Sequence, residues 1–465
     1  MKRLASAVEL LAGVVIVGVL TVILFVTFGG APATIQLSPG AATAYPVVEP
    51  SPAKPYPSPL ESAPTSESSY PPFTATPIAR PSLPVCDFTE RAPDTAGIAS
   101  SVIDRFGPSQ AVQAPVSGIA GWLDAQQLLV SREPPASAQM SFYALNLFTG
   151  DMHLYVAQSA LTQPVWLASA RAIAYAVSVP QGTDSAGVIR NRTDLYVTFI
   201  DSAQTLVVAS DILATERTFA AEPDGQRLWY FLRTDPLQPY IYDAHLNASQ
   251  PASFHLSSFI SSKPDLEWAI RSEAPLFKLA WHPDGVKLLI YSQYWTFLLN
   301  TQTGQACEVE LIDSEDYKAE AMLVPPWPFM AQWSPDGNYV AIISTTDFQL
   351  PYHHTDLIVL NIVARERYTL SLGDAVPPYY RQSVTDLAWS PDSRYVTALA
   401  FVNHTGDRPA TGLFVVEAAT GASARILPSD VFGLGSWGAR LAWNPTGEWL
   451  AAMGWDGLSL IPVYP

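Results

Sequence analysis

The side chains able to do chemistry are few, and their spacing decides what they could do. His353 and His354 stand side by side, two residues before Asp356, and form the nearest approach to a metal-ligand cluster. Neighbouring side chains on a strand point to opposite faces, so both imidazoles reach one ion only from a loop. The segment reads as an exposed loop, and no metal is expected. Asp386 is the exception among otherwise apolar stretches such as Phe277-Lys278-Leu279-Ala280 and Ser383-Val384-Thr385-Asp386-Leu387-Ala388. Gly435-Ser436-Trp437-Gly438 lacks the spacing of a nucleophile elbow. There is no H-E-x-x-H, no phosphate-binding loop and no sialidase-type box. No catalytic residue and no cofactor is expected. Cys86 and Cys307 are the two cysteines, and neither belongs to a C-x-x-C pair. Asn191, Asn247 and Asn403 open formal glycosylation sequons, which mean little outside a eukaryotic source.

The remaining recurrent carboxylates belong to a repeat. Five segments align: Ala221-Glu222-Pro223-Asp224-Gly225, Trp281-His282-Pro283-Asp284-Gly285, Trp333-Ser334-Pro335-Asp336-Gly337, Trp389-Ser390-Pro391-Asp392-Ser393 and Trp443-Asn444-Pro445-Thr446-Gly447. Each leads into an apolar strand, as in Leu288-Leu289-Ile290-Tyr291 and Val340-Ala341-Ile342-Ile343. Weaker copies begin at Trp122 and Trp166. Copies recur about every 44 to 60 residues, the spacing of propeller blades. Proline presets φ for a tight turn, aspartate bonds the backbone two residues on, and glycine accepts positive φ. The tryptophan is a large apolar body suited to packing between blades. Carboxylates repeated in this way lie apart around a ring, so they are structural and do not converge on a site. A second turn follows in each unit, often Thr-Gly as at Thr149-Gly150, Thr303-Gly304 and Thr420-Gly421. Each unit thus supplies four short strands.

The Trp-Ser-Pro-Asp-Gly turn before an apolar strand resembles the WD40-like repeat of TolB-type β-propellers over roughly residues 118–465. The resemblance implies an all-β, seven-bladed propeller, with six or eight blades as the alternative, outside the cytoplasm and often given to protein–protein binding. Related propellers precede hydrolase domains in prolyl oligopeptidase-like enzymes, but here the sequence from Leu458 to Val463 still belongs to the last blade. The departures are Ala221 for Trp, Ser393 for Gly and Thr446 for Asp, and they touch local turn geometry.

Composition narrows the partners. Net charge is −17, with no cluster of Lys or Arg, which argues against nucleic acid. Lys2 and Arg3 precede an uncharged apolar run over 10–28, near the roughly 20 residues that cross a bilayer. The charge bias predicts a signal anchor with a cytoplasmic tail at 1–9 and the rest outside. Secretion after cleavage near Ala31-Pro32-Ala33 is the alternative. Residues 31–95 are rich in Pro, Ser and Thr and read as a disordered spacer, leaving 96–465 for the propeller.

Both turns of each unit lie on one face of the disc, and the long connections lie on the other. Binding groups gather on such loops. The candidates are Trp327, Phe329, Tyr352, His353, His354, Tyr379, Tyr380, Arg381, His404 and Arg408, while Trp281, Asp284, Gly285, Trp333, Asp336, Gly337, Trp389, Asp392, Trp443 and Gly447 are structural. The function expected is a membrane-tethered module binding a protein or envelope polymer. The alternative is a hydrolase or lyase acting on carbohydrate or a lactone through the central channel. The last unit stops after its third strand, so a strand from about Gly97 to Val116 should close the ring. Cys307 and the segment after Cys86 map to opposite sides of that ring, farther than the Cα separation of about 7 Å that a disulfide allows. Free thiols are therefore expected, with a bridge only if the linker crosses a whole face.

Overall fold

The computed structural model describes residues 83–465 apart from 133–140, 157–163, 184–188, 215–216, 261–276, 293–294, 312–327, 348–353, 374–383, 404–409, 434–439 and 455–456. The anchor expected at 10–28 and most of the expected spacer lie outside the described residues, and no helix among the described residues is long and apolar enough to cross a membrane. Seven antiparallel sheets follow one another along the chain. Blade I opens at Gly118–Trp122, blade II at Val165–Leu167, blade III at Ala220–Ala221 and blade IV at Lys278–Trp281. Blades V, VI and VII open at Pro328–Trp333, Val384–Trp389 and Arg440–Trp443. The first strands of successive blades meet around a closed circuit, from I through VII and back to I, and so form the wall of a central channel.

The apolar runs are explained by burial on both faces. In blade IV, Leu288 and Ile290 pack with Trp229 and Phe231 of blade III. Their neighbours Leu289 and Tyr291 pack with Val340 and Ile342 of blade V. Side chains alternate along a strand, so a strand between two blades must be apolar at every position. Each of the seven junctions carries such a cluster.

The ring closes as its strand count requires. Gln110–Ala111 pairs antiparallel with Gly457–Pro462, Gln110 opposite Leu460 and Ala111 opposite Ser459, as the outer strand of blade VII. Gly107 donates its N–H to Pro462 O at 2.8 Å, and a Cβ on Gly107 would meet the Pro462 ring at 2.7 Å. The backbones approach there only because the residue has no side chain.

Two expectations are corrected. Cys86 and Cys307 form a disulfide, with Cα atoms 5.2 Å apart. The chain reaches blade IV around the rim, not across a face. Val85 bridges Glu308 at the edge of blade IV. Thr89–Glu90 then adds a fifth, parallel strand to blade V, opposite Glu366 and Arg367. Asp94 donates its N–H to Thr420 O of blade VI at 2.9 Å, and Pro93 lies against Gly421. A strap from about residue 84 to 112 thus runs along the outer edges of blades IV, V, VI and VII. The domain boundary moves with it, because residues 84–94, assigned above to the spacer, are hydrogen-bonded into the sheets.

Candidate functional site

On the turn face the motif residues spend their polar groups on the fold. Asp284 Oδ1 accepts the N–H groups of Val286 and Lys287 at 2.7 and 3.0 Å, and Oδ2 meets the Lys287 ammonium at 3.0 Å. Burial pushes this carboxyl up, but those bonds and His282 outweigh it and hold it at about 2. Asp336 is also lowered, since the Ser334 hydroxyl at 2.6 Å, Asn338 and Ser393 overcome its burial. Gly225, Gly285, Gly337 and Gly447 all take positive φ, and Ser393 does so without being glycine.

The motif also latches blade to blade. Trp333 donates its indole N–H to Ala280 O of blade IV at 2.9 Å, Trp389 to Gln332 O of blade V at 2.9 Å, and Trp122 to Ala442 O of blade VII at 2.9 Å. Trp443 reaches blade VI through the Thr397 hydroxyl at 3.0 Å, which in turn donates to Ala388 O. In four of these junctions the acceptor chain ends on the residue preceding the neighbour's motif tryptophan. Blade III has Ala221 there, and the pattern breaks. Trp281 leaves its indole nitrogen buried without a bond among the described residues and packs edge-on against Trp229 at 5.1 Å. Trp229 donates instead to Glu222 at 2.7 Å, which Arg227 also holds.

Charge converges on the channel wall. Asp386, on the first strand of blade VI, is 1% exposed. Its Oδ2 accepts the N–H of Leu441 in blade VII at 2.6 Å. Its Oδ1 lies 4.0 Å from Arg440 Nη1 and accepts no hydrogen bond among the described residues. Arg217, leading into blade III, reaches past blade IV to donate to Ala331 O of blade V at 3.2 Å. The Arg217 carbonyl accepts the Leu279 N–H of blade IV at 3.1 Å, so the side chain starts beside blade IV and runs along the wall to blade V. Burial raises the Asp386 carboxyl above its ordinary range, against the pull of Arg440, Arg217 and the Leu441 N–H. A buried acid facing two guanidinium groups can retain a proton longer than usual, or orient a hydroxylated or anionic group.

The long-loop candidates fall differently. Trp327, Tyr352, His353, Tyr379, Tyr380, Arg381, His404 and Arg408 lie outside the described residues. Phe329 and His354 belong to strands of blade V, Pro328–Trp333 and His354–Asn361. The strand ends of blades V and VI next to these stretches lie on the face opposite the motif turns. Asp356, the third member of the proposed cluster, is buried and accepts from the Ser371 hydroxyl at 2.6 Å. No group of three metal-ligating side chains occurs among the described residues. Sequence reasoning flagged Asp386 but missed Arg217 and Arg440. Arg440 stands three residues before its motif tryptophan, as Asp386 does, and that register was the available signal. Nothing in the sequence marks Arg217 as reaching blade V.

No family model matches the chain, and no curated protein matches it. Solved structures do. An oligogalacturonate lyase in complex with manganese aligns with TM-score 0.50 and 12% identity, covering 76% of this chain and 93% of that one. TolB from Acinetobacter baumannii aligns with TM-score 0.37 and 12% identity over 83% and 94%. A 6-phosphogluconolactonase assigned from Bacteroides fragilis aligns with TM-score 0.42 and 13% identity over 72% and 89%. Likeness at this identity speaks to fold alone. The fold and its repeated turn define a seven-bladed β-propeller.

Proposed function

We propose that the protein is a membrane-tethered propeller, held outside the cytoplasm, that binds a protein or envelope polymer through its long-loop face. The observation that carries this reading is the asymmetry of the two faces. On the turn face, short turns use their carboxylates, hydroxyls and indoles to lock blade to blade. The segments with Trp327, Tyr379, Tyr380 and Arg381, which the repeat pattern of the sequence assigns to the opposite face, hold residue types that dominate binding hot spots. Variable loops on a rigid ring suit recognition, because lengthening a loop costs only about 0.6 kcal/mol per doubling. The Cys86–Cys307 bridge supports an oxidising compartment. It agrees with an N-terminal anchor whose chain emerges outside the cell membrane, with secretion after cleavage as the alternative. The test is capture of binding partners from an envelope extract by the full chain in detergent micelles. The double variant Tyr379→Ala/Tyr380→Ala should lose the captured partner while keeping its melting temperature. Loss of capture from the turn variant Asp284→Ala, folded and with its loops untouched, would place the working face wrongly.

A second reading, a lyase or hydrolase acting on carbohydrate or lactone, is favoured by Asp386 and its two arginines at the channel wall. It predicts turnover of an oligouronate or sugar lactone that Asp386→Asn abolishes without unfolding the ring.

A further inference from the structure

The seven junctions of the turn face are not equally tight. At II–III the Ser169 hydroxyl donates to Asp224 O, and the backbone of Ala168 closes on Gly225. At IV–V the His282 ring fills the space beside Gly337, with Nε2 at 3.0 Å from Gly337 O. At VI–VII the corresponding glycine, Gly447, has nothing nearer to the position of a Cβ than the Pro391 ring at 3.9 Å. The strap then crosses this loose junction and roofs it. Val102, Arg105 and Phe106 come from the strap, Asp392 and Tyr395 from blade VI and Trp443 from blade VII, and together they line a cavity of about 340 Å³. A gap between blades has become a partly covered cleft because the N-terminal segment passes over it.

The lining has a definite chemistry. Phe106 and Trp443 stand edge to face at 5.9 Å and form an apolar floor with Val102. Arg105 is anchored through Nε, which donates to Tyr464 O at 2.8 Å. Its two terminal nitrogens make no bond among the described residues, so a planar pair of donors is held at the rim. Such a fork matches a carboxylate. Asp392 stands in the same lining and offers an acceptor; its Oδ1 takes the Ser390 hydroxyl at 2.6 Å and the Arg394 N–H at 3.1 Å. The volume lies at the low end for ligand pockets and suits about one amino-acid residue.

We infer that this cavity binds the C-terminal residue of a peptide, its carboxylate on Arg105, its apolar side chain on Phe106 and Trp443, and its amide N–H toward Asp392. The site is separate from the long-loop face and does not depend on the reading given for it. The probe is acetyl-Ala-Ala-Phe as free acid, compared with its C-terminal amide. Titration into the full chain in detergent is followed by calorimetry and by quenching of tryptophan fluorescence. The acid should bind, and the amide should bind about tenfold more weakly, as expected for loss of a charge-assisted pair. Arg105→Gln should bring the acid to the affinity of the amide. Val102→Trp, which fills the cavity without touching its polar groups, should abolish binding of both with an unchanged melting temperature. Equal affinity for acid and amide, binding that survives Val102→Trp, or no binding of the acid would each overturn the inference. If Arg105→Gln fails to fold for want of its Tyr464 bond, Val102→Trp decides alone. The loop-face variants should leave this binding unchanged.

Discussion

Reducing the Cys86–Cys307 bridge should weaken the whole ring, by an amount that follows from its place in the chain. The cysteines are 221 residues apart. Closing a loop of that length in the unfolded chain removes entropy equivalent to about 5 kcal/mol at room temperature in the chain-entropy account. The native strap keeps little to replace it. Its strand pairing with blade V spans two residues, and the closing strand at blade VII is also two residues long. Unfolding entropy is about 2 cal/mol/K per residue. For a propeller of this length, a loss of about 5 kcal/mol corresponds to a fall of roughly 6 °C in melting temperature. The assay is thermal unfolding of the double variant Cys86→Ser/Cys307→Ser beside the parent, by circular dichroism, with limited proteolysis on the same samples. The strap should be cut before residue 105 in the variant while the blades stay whole. An unchanged melting temperature, or a strap equally resistant in both, would refute the reasoning, and so would two free thiols in the native protein.

The latches make separable predictions. Trp389→Phe keeps most of the buried ring but strands Gln332 O without its indole donor, and should cost about 1–2 kcal/mol in chemical denaturation. Trp389→Ala also empties the junction between blades V and VI and should cost about 3–5 kcal/mol. Asp284 is held at about 2, below its unfolded range. Its contribution is therefore present above about pH 4 and lost as pH falls toward 2, and Asp284→Asn should flatten the acid limb of the stability profile. Asp386 is raised, so the sign reverses. Its protonated form is the favoured one in the fold, and stability is lost as pH rises through its elevated value. Asp386→Asn should remove that dependence above the ordinary carboxylate range, read as melting temperature against pH.

The architecture was legible because each blade repeats one physical solution. Leu288 to Tyr291 is apolar throughout since neighbouring blades cover both of its faces. The motif turns recur since their backbone angles demand particular residues. Seven units with a short last one required a strand from elsewhere, and Gln110–Ala111 supplies it. The strap was not legible. Val85 to Asp94 carries no alternating pattern, because it is held by single bridges and a two-residue strand at an exposed rim. Its path, and with it the disulfide, follows from which edges are free, which no local pattern records. The channel cluster was half legible. Asp386 stood out as a carboxylate in an apolar run, whereas Arg217 becomes significant only once its blade lies two places from blade V.

The central claim is that the locked turn face supports a ring whose opposite face does the binding. A photocrosslinking residue placed at Tyr380, in a segment proposed to belong to the long-loop face, and in a separate variant at Gln302 in a turn of blade IV, tests it in intact cells of the source organism. The account predicts a discrete crosslinked species from position 380, formed outside the cytoplasm, and none from position 302. A species from position 302 with none from position 380 would contradict it.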